Sequence, residues 1–187
     1  MGHGGDVVAE LITDHREVED LFQRIEALPA GDPQRKVYAE QATIELVRHS
    51  VAEEQHVYPA AREFLPEGDR IADREIEEHA TAEQLMKDLE GAGADDPVFD
   101  DLIGRLMTEI RAHIEDEEAH LFPQLRAALS PERLEELGEQ VRTAKKLAPT
   151  RPHPSAPDTP PGNKLLAPGA GLVDRARDAL SGRGKQP

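Results

Sequence analysis

The sequence predicts an all-α protein: an up-down-up-down four-helix bundle built from two repeated helical hairpins, with a short fifth helix and a disordered C-terminal tail. Three observations predict it. Apolar residues recur at helical spacing between short breaks containing Pro and Gly, and no β-branched run alternates as a strand would. Aromatic residues make up only 3% of the 187-residue chain and tryptophan is absent. Residues 1–64 map onto 65–128 without a gap, so each half reads as one duplicated hairpin.

The first helix is expected from about Asp6 to Leu28, where Val7, Val8, Leu11, His15, Val18, Phe22 and Ile25 form one stripe. Pro-Ala-Gly-Asp-Pro at 29–33 breaks it. The second runs from about Pro33 to Leu65, with Pro59 bending its last turns. Pro66-Glu67-Gly68 leads into a third, about Asp69 to Glu90. A break at 91–97 precedes the fourth, about Pro97 to Leu129. Ser130-Pro131 supplies an N-cap and a proline at the first helical position, which starts a fifth helix at about 131–146, outside the repeat. Residues 1–147 therefore read as the bundle. From Pro149 the composition changes, and the last forty residues hold eight of the fifteen prolines. That stretch, 148–187, reads as a flexible tail. A short amphipathic helix at 172–180 within it could dock on a protein partner.

Composition excludes several function classes. Without cysteine there are no disulfides, thiolate ligands or thiol nucleophiles. The net charge of −16 is uneven: residues 1–147 carry −19 and residues 148–187 carry +3. A surface so acidic repels phosphate backbones, so no nucleic-acid partner is expected. No apolar run reaches membrane-spanning length, so no membrane partner is expected either. The first residues lack the basic and apolar regions of a signal peptide, and Asp6 breaks the myristoylation pattern. A cytoplasmic protein, monomeric or weakly oligomeric, is the default expectation.

The repeat carries chemistry. His15, His49, Glu53 and His56 recur as His79, His113, Glu117 and His120 at an offset of 64. The block 48–59, Arg-His-Ser-Val-Ala-Glu-Glu-Gln-His-Val-Tyr-Pro, matches 112–123, Ala-His-Ile-Glu-Asp-Glu-Glu-Ala-His-Leu-Phe-Pro. Residues at i, i+4 and i+7 share a helix face, so His49, Glu53 and His56 project one way, as do His113, Glu117 and His120. Such groups facing a bundle core are costly unless paired or metal-bound. Imidazoles and carboxylates without thiolate, in numbers exceeding one tetrahedral zinc, point to two metals side by side. Iron is the expected element, ahead of a manganese–iron or zinc pair. Glu45 and Glu109, one turn earlier, are candidates to accept the second N–H of the ligand imidazoles. Glu54 and Glu118 point away from the histidine face and are expected to be solvated. Tyr38 is expected to pack in the core, and His3 and His153 to be incidental.

The order His15, His49-x3-Glu53, His79, His113-x3-Glu117 resembles the signature of the hemerythrin-like HHE cation-binding domain. The Glu-Glu-x-His-x-Tyr-Pro and Glu-Glu-x-His-x-Phe-Pro continuations are similar to that family's helix ends, and the resemblance covers about residues 6–129. It implies a four-helix bundle holding an oxo- or hydroxo-bridged di-iron centre. His15 and His49 would hold one iron, His79 and His113 the other, and Glu53 and Glu117 would bridge them. Oxygen-carrying hemerythrins place a second histidine in the third helix, where this chain has Glu83. Their last bridging acid is an Asp one residue further along. A symmetric site is therefore expected, with the extra ligand on each iron being water, Glu83 and Glu19, or His120 and His56.

Three functions follow from such a centre. The first is reaction with small oxidants (dioxygen, hydrogen peroxide, nitric oxide), as in peroxide detoxification by a catalase-like cycle or in nitric oxide reduction. The second is reversible oxygen or nitric oxide binding, storage or sensing, with Phe22, Leu106, Ile110 and Met86 as an apolar pocket lining. The third is iron storage or iron-sensing regulation. The glutamate-richer ligand set favours the first, because carboxylates stabilise ferric iron.

Overall fold

The computed structural model describes residues 3–183. It is all-helical among these residues: α1 (Val7–Glu26), α2 (Pro33–Ala52), a π turn (Glu53–Val57), α3 (Tyr58–Phe64), α4 (Gly68–Gly91), α5 (Pro97–Asp116), a second π turn (Glu117–Leu121), α6 (Phe122–Ala128), α7 (Pro131–Leu147) and α8 (Gly162–Ser181). The helix starts are written in the sequence. Asp6, Asp32, Asp96 and Ser130 each accept a backbone N–H of the first turn, which satisfies donors that a helix leaves open. Pro33, Pro97 and Pro131 occupy the first helical positions, where no N–H is missed.

The four long rods are α1, α2–α3, α4 and α5–α6. Each half packs as a hairpin, α1 on α2 and α4 on α5, and α7 lies across α1 and α2. Gly68 opens α4 where a β-carbon would collide with the carbonyl of Ala61, so the turn between rods requires glycine there. Two apolar clusters fill the bundle. One joins Leu11, Tyr58, Phe122, Leu125 and Leu137 at the α7 end. The other joins Phe22, Ile25, Leu85, Phe99 and Leu106 at the far end. The buried polar residues His15, His49, Glu53, His79, His113 and Glu117 belong to neither cluster. They form a polar layer between the two.

The rods α2–α3 and α5–α6 differ from expectation in one respect. Each is interrupted by a π turn, closed by Tyr58 N–H on Glu53 O and by Phe122 N–H on Glu117 O. Pro59 and Pro123 follow at once. Each lacks the N–H that an α-helix would direct to the residue four back, which favours the wider turn at these points.

The C-terminal segment corrects the expectation of a flexible tail with a short helix at 172–180. The helix is longer, Gly162–Ser181, and docks. Gly171 lets it approach the carbonyls of Leu147 and Ala148. Polar contacts hold it: Thr150 Oγ1 donates to Asp178 at 2.6 Å, His153 Nε2 lies 2.8 Å from Asp174, and Arg151 pairs with Asp178 at 2.6 Å. Asn163 and Asp174 are buried, while Leu166, Leu172, Val173 and Leu180 are exposed. A reading based on apolar content misses a segment anchored through its polar side chains. Residues 184–187 lie outside the described residues.

Candidate metal centre

Each hairpin sends two histidines and one glutamate into the polar layer. His15 comes from α1 and His49 from α2, with ring centroids 5.0 Å apart; His79 comes from α4 and His113 from α5, at 4.9 Å. Glu53 and Glu117 open the two π turns and are fully buried. Their carboxylates cross between the halves. Glu53 Oε2 stands 3.0 Å from His49 Nε2 and 3.4 Å from His79 Nε2. Glu117 Oε2 stands 3.4 Å from His15 Nε2 and 3.6 Å from His113 Nε2. Ligand atoms of His15, His49 and Glu117 lie within 4.8 Å of one another, as do those of Glu53, His79 and His113.

The outer ring nitrogens are all partnered by carboxylates. His15 Nδ1 lies 2.9 Å from Glu118, His49 Nδ1 3.1 Å from Asp14, and His79 Nδ1 3.1 Å from Glu54. His113 Nδ1 lies 2.9 Å from Glu78 and 3.1 Å from Glu75. A carboxylate on one nitrogen fixes the ring and leaves the other nitrogen's lone pair for a metal. The inner atoms fit that role. His15 Nε2, His49 Nε2, Glu53 Oε1 and Glu117 Oε2 are buried with no hydrogen-bond partner, and unpaired buried polar atoms are costly. Without a metal, protons must take its place. Burial alone would depress His49, but the Glu53 carboxylate outweighs it and lifts the imidazole to about 10. Burial likewise works against His113, which Glu117 and Glu75 hold well above the usual range. Burial would raise Glu53, and the His49 charge carries it well below the usual carboxylate range instead.

Residues 6–125 match the family model of the hemerythrin HHE cation-binding domain. The chain belongs to this family. Hemerythrin HHE domains bind metal cations, and the two His/Glu clusters supply donors of the right kind. A hemerythrin-like protein of Schizosaccharomyces pombe is 31% identical over 171 residues, covering 91% of this chain and 84% of that one. A DNA nickase of Nostoc is 30% identical over 133 residues, 71% of this chain but 37% of that protein. The crystal structure of an HHE domain protein from Mycobacterium kansasii superposes with a TM-score of 0.66 at 22% identity, covering 75% of this chain and 85% of that one, which shows the shared fold.

Against this hemerythrin-like frame, the other candidate residues fall away from the clusters. In a continuous α-helix His56 and His120 would follow His49 and His113 on the same face, but the π turns rotate them off it. His120 is exposed beside Asp116 at 2.9 Å. His56 sits under α7 within reach of Gln140, and burial, with Lys164 nearby, lowers it to about 4. Glu19 is held by Arg111 at 2.9 Å, and Glu83 accepts the backbone N–H of His153 at 2.7 Å. Glu45 pairs with Arg48 at 3.1 Å, and Glu109 is exposed. The carboxylates that do meet the imidazoles are Asp14, Glu78, Glu75, Glu54 and Glu118, the last two expected to be solvated. Asp14 with Glu78 and Glu54 with Glu118 keep the 64-residue offset, a signal the sequence offered. Tyr38 is partly buried against the far apolar cluster, as expected. His3 is not incidental: its ring meets Glu10 at 2.9 Å and Glu17 at 3.1 Å.

Tyr58 is the residue that sequence reasoning missed. Five residues beyond Glu53, it would face away in an α-helix. The π turn brings it directly over Glu53. Its hydroxyl lies 3.0 Å from His79 Nε2, 3.3 Å from Glu53 and 3.4 Å from Glu117. Burial and the surrounding carboxylates hold the phenol well above its ordinary range, so it keeps its proton. Its repeat counterpart Phe122 stacks on His15 at 5.6 Å and offers no such group.

Proposed function

We propose that this protein is a non-haem di-iron protein that consumes small oxidants, chiefly hydrogen peroxide. His15 and His49 would hold one iron and His79 and His113 the other, with Glu53 and Glu117 shared between them. The observation that carries the reading is the inward convergence of imidazole and carboxylate atoms from both halves, with His15 Nε2, His49 Nε2, Glu53 Oε1 and Glu117 Oε2 unpartnered. An iron pair, when bound, supplies the two-electron redox capacity that disproportionation needs: two peroxides give two waters and one dioxygen.

The protein's own groups do the rest. Carboxylates behind all four imidazoles fix their orientation and raise their electron density, which favours the ferric state. Glu83 stands where a carrier would have a fifth histidine and is engaged elsewhere, so no extra imidazole offsets that preference. Tyr58 holds a proton within the layer and can donate it to an oxygen of the oxidant. The two apolar clusters keep bulk water from the site. A second reading, binding of a neutral diatomic, is favoured by a small pocket of about 10 Å³ at His15 and His113, walled by Val18 and Ile110. Of the other expected lining residues, Phe22 and Leu106 lie in the core and Met86 lines a separate cavity.

The test is an oxygen-electrode trace on adding peroxide to the iron-loaded protein and to Glu117→Ala. Oxygen release well above the variant is expected. No release above the variant, with a stable oxygenated spectrum that reverses under argon, would favour the binding reading.

A further inference from the structure

The two halves carry the same six ligand residues but differ in what covers them. Outside His15, two guanidinium groups close the bundle. Arg16 donates to Glu118 at 2.6 Å. Arg111 reaches Glu19 at 2.9 Å and Glu26 at 2.8 Å, and lies over the Phe22 ring at 5.8 Å. At the 64-residue offset the counterparts of Arg16 and Arg111 are Ala80 and Val47. Where those plugs would sit there is instead a cavity of about 100 Å³, running to His79 and Glu54 and walled by Val47, Ala80, Glu83 and Met86.

The bundle does not cover this cavity; the C-terminal segment does. Arg151, His153 and Asn163 complete its lining. The segment is fastened mostly through polar contacts. The His153 N–H donates to Glu83 at 2.7 Å, Gln55 donates to Asn163 O at 3.3 Å, and Arg151 bridges Glu90 at 3.1 Å to Asp178 at 2.6 Å. Among its described side chains few large apolar ones pin it, and Leu166 above the cavity is 55% exposed. Segments held this way open at far lower cost than a packed core.

We propose that residues 149–170 form a movable cover over a one-sided entrance, through which ligand reaches the His79–His113 half of the centre, beside Tyr58. The inference rests on the di-iron reading and deepens it. Room for a few water-sized molecules, with the Glu54 and Glu83 carboxylates in the wall, suits a small uncharged ligand such as hydrogen peroxide or nitric oxide. Larger metabolites do not fit a space of that size. The pseudo-equivalent path to His15 is closed by Arg16 and Arg111.

The experiment uses the full-length, iron-loaded and reduced protein and measures the rate of nitric oxide association by stopped-flow absorbance, with iron content determined separately. Ala80→Arg, which copies the plug of the other half, should slow association at least tenfold with iron content unchanged. Asp178→Ala, which frees Arg151 and Thr150, should speed association severalfold and raise amide exchange across 149–170. Should Ala80→Arg not fold or load, the Asp178→Ala rate decides. Rates within twofold of the parent in the loaded variants would overturn the entrance while leaving the di-iron reading intact. A parent chain that retains no iron pair would overturn both.

Discussion

The His15 half and the His79 half carry the same ligand set on equivalent helices, yet they differ in three ways. Phe122 stacks on His15, whereas Tyr58 offers a hydroxyl to His79. Arg16 and Arg111 close the first half, whereas the second has a cavity under the C-terminal segment. Asp14 behind His49 is shared with Lys145 of α7, whereas Glu75 and Glu78 behind His113 are joined by Arg74. On the proposed di-iron reading, the duplicated hairpin provides a symmetric cage for two metals. The substitutions that break symmetry all sit around the cage, and they put the Tyr58 hydroxyl and the cavity on one side. On the proposed reading, symmetry serves metal binding and its loss serves reactivity.

The largest test removes what the halves share. Glu53→Ala or Glu117→Ala should strip most of the iron, because each carboxylate touches histidines of both halves. His120→Ala should leave iron content unchanged, since His120 is exposed. Elemental analysis of the three variants decides. Equal loss in all would contradict the bridging assignment.

Tyr58→Phe makes the second half resemble the first. The side chain keeps its volume, so fold and iron content should persist. Oxygen release from peroxide should fall by roughly 10²-fold, the lower range for loss of a positioned proton donor. An unchanged rate would mean that the difference between the halves is one of packing alone.

Removing one orienting carboxylate from each half sharpens the comparison further. Asp14→Asn should weaken metal binding by roughly 10–100-fold, a common cost for such partners. Glu78→Ala should cost less, because Glu75 still reaches His113 Nδ1 at 3.1 Å. Competition with a chelator measures both. A larger loss in Glu78→Ala would show that Glu75 cannot serve alone.

The contrast also explains what was legible in the sequence. Helical stripes, the Pro and Gly breaks and the Ser130 cap located the rods to within a few residues, and the 64-residue period brought six inward-facing residues into view. Helical periodicity assumes 3.6 residues per turn throughout, and the two π turns violate it just past Glu53 and Glu117. Five misplaced residues follow from that change of phase: His56 and His120 turn out, while Tyr58, Glu54 and Glu118 reach in. Glu45 and Glu109, which precede the π turns, and Asp14, Glu75 and Glu78, on α1 and α4, do not. Pro59 and Pro123 were the visible signs. The C-terminal helix was drawn too short, and its docking missed, for a different reason: Asn163, Asp174 and Asp178 anchor it through polar contacts that apolar patterning does not register.

The smallest expected effect distinguishes the two outer histidines. His120 stands exposed beside Asp116, whereas His56 is half-buried under α7. Burial, with Lys164 nearby, holds His56 at about 4 in the folded chain, against 6.5 for the free side chain. A depressed histidine favours the folded state while neutral. Its contribution is therefore complete above pH 6.5 and is lost as the pH falls through about 4, because only the unfolded chain takes up the proton readily in that window. Lowering the pH from 7 to 5 should cost the parent protein more thermal stability than His56→Gln, by on the order of a few degrees in Tm. His120→Gln should behave as the parent does. Thermal melts of the metal-free proteins at the two pH values, recorded by circular dichroism, isolate this effect from acid release of metal. Identical pH dependence in the parent and His56→Gln would show that α7 yields to admit the charged ring, and that the two histidines are equivalent after all.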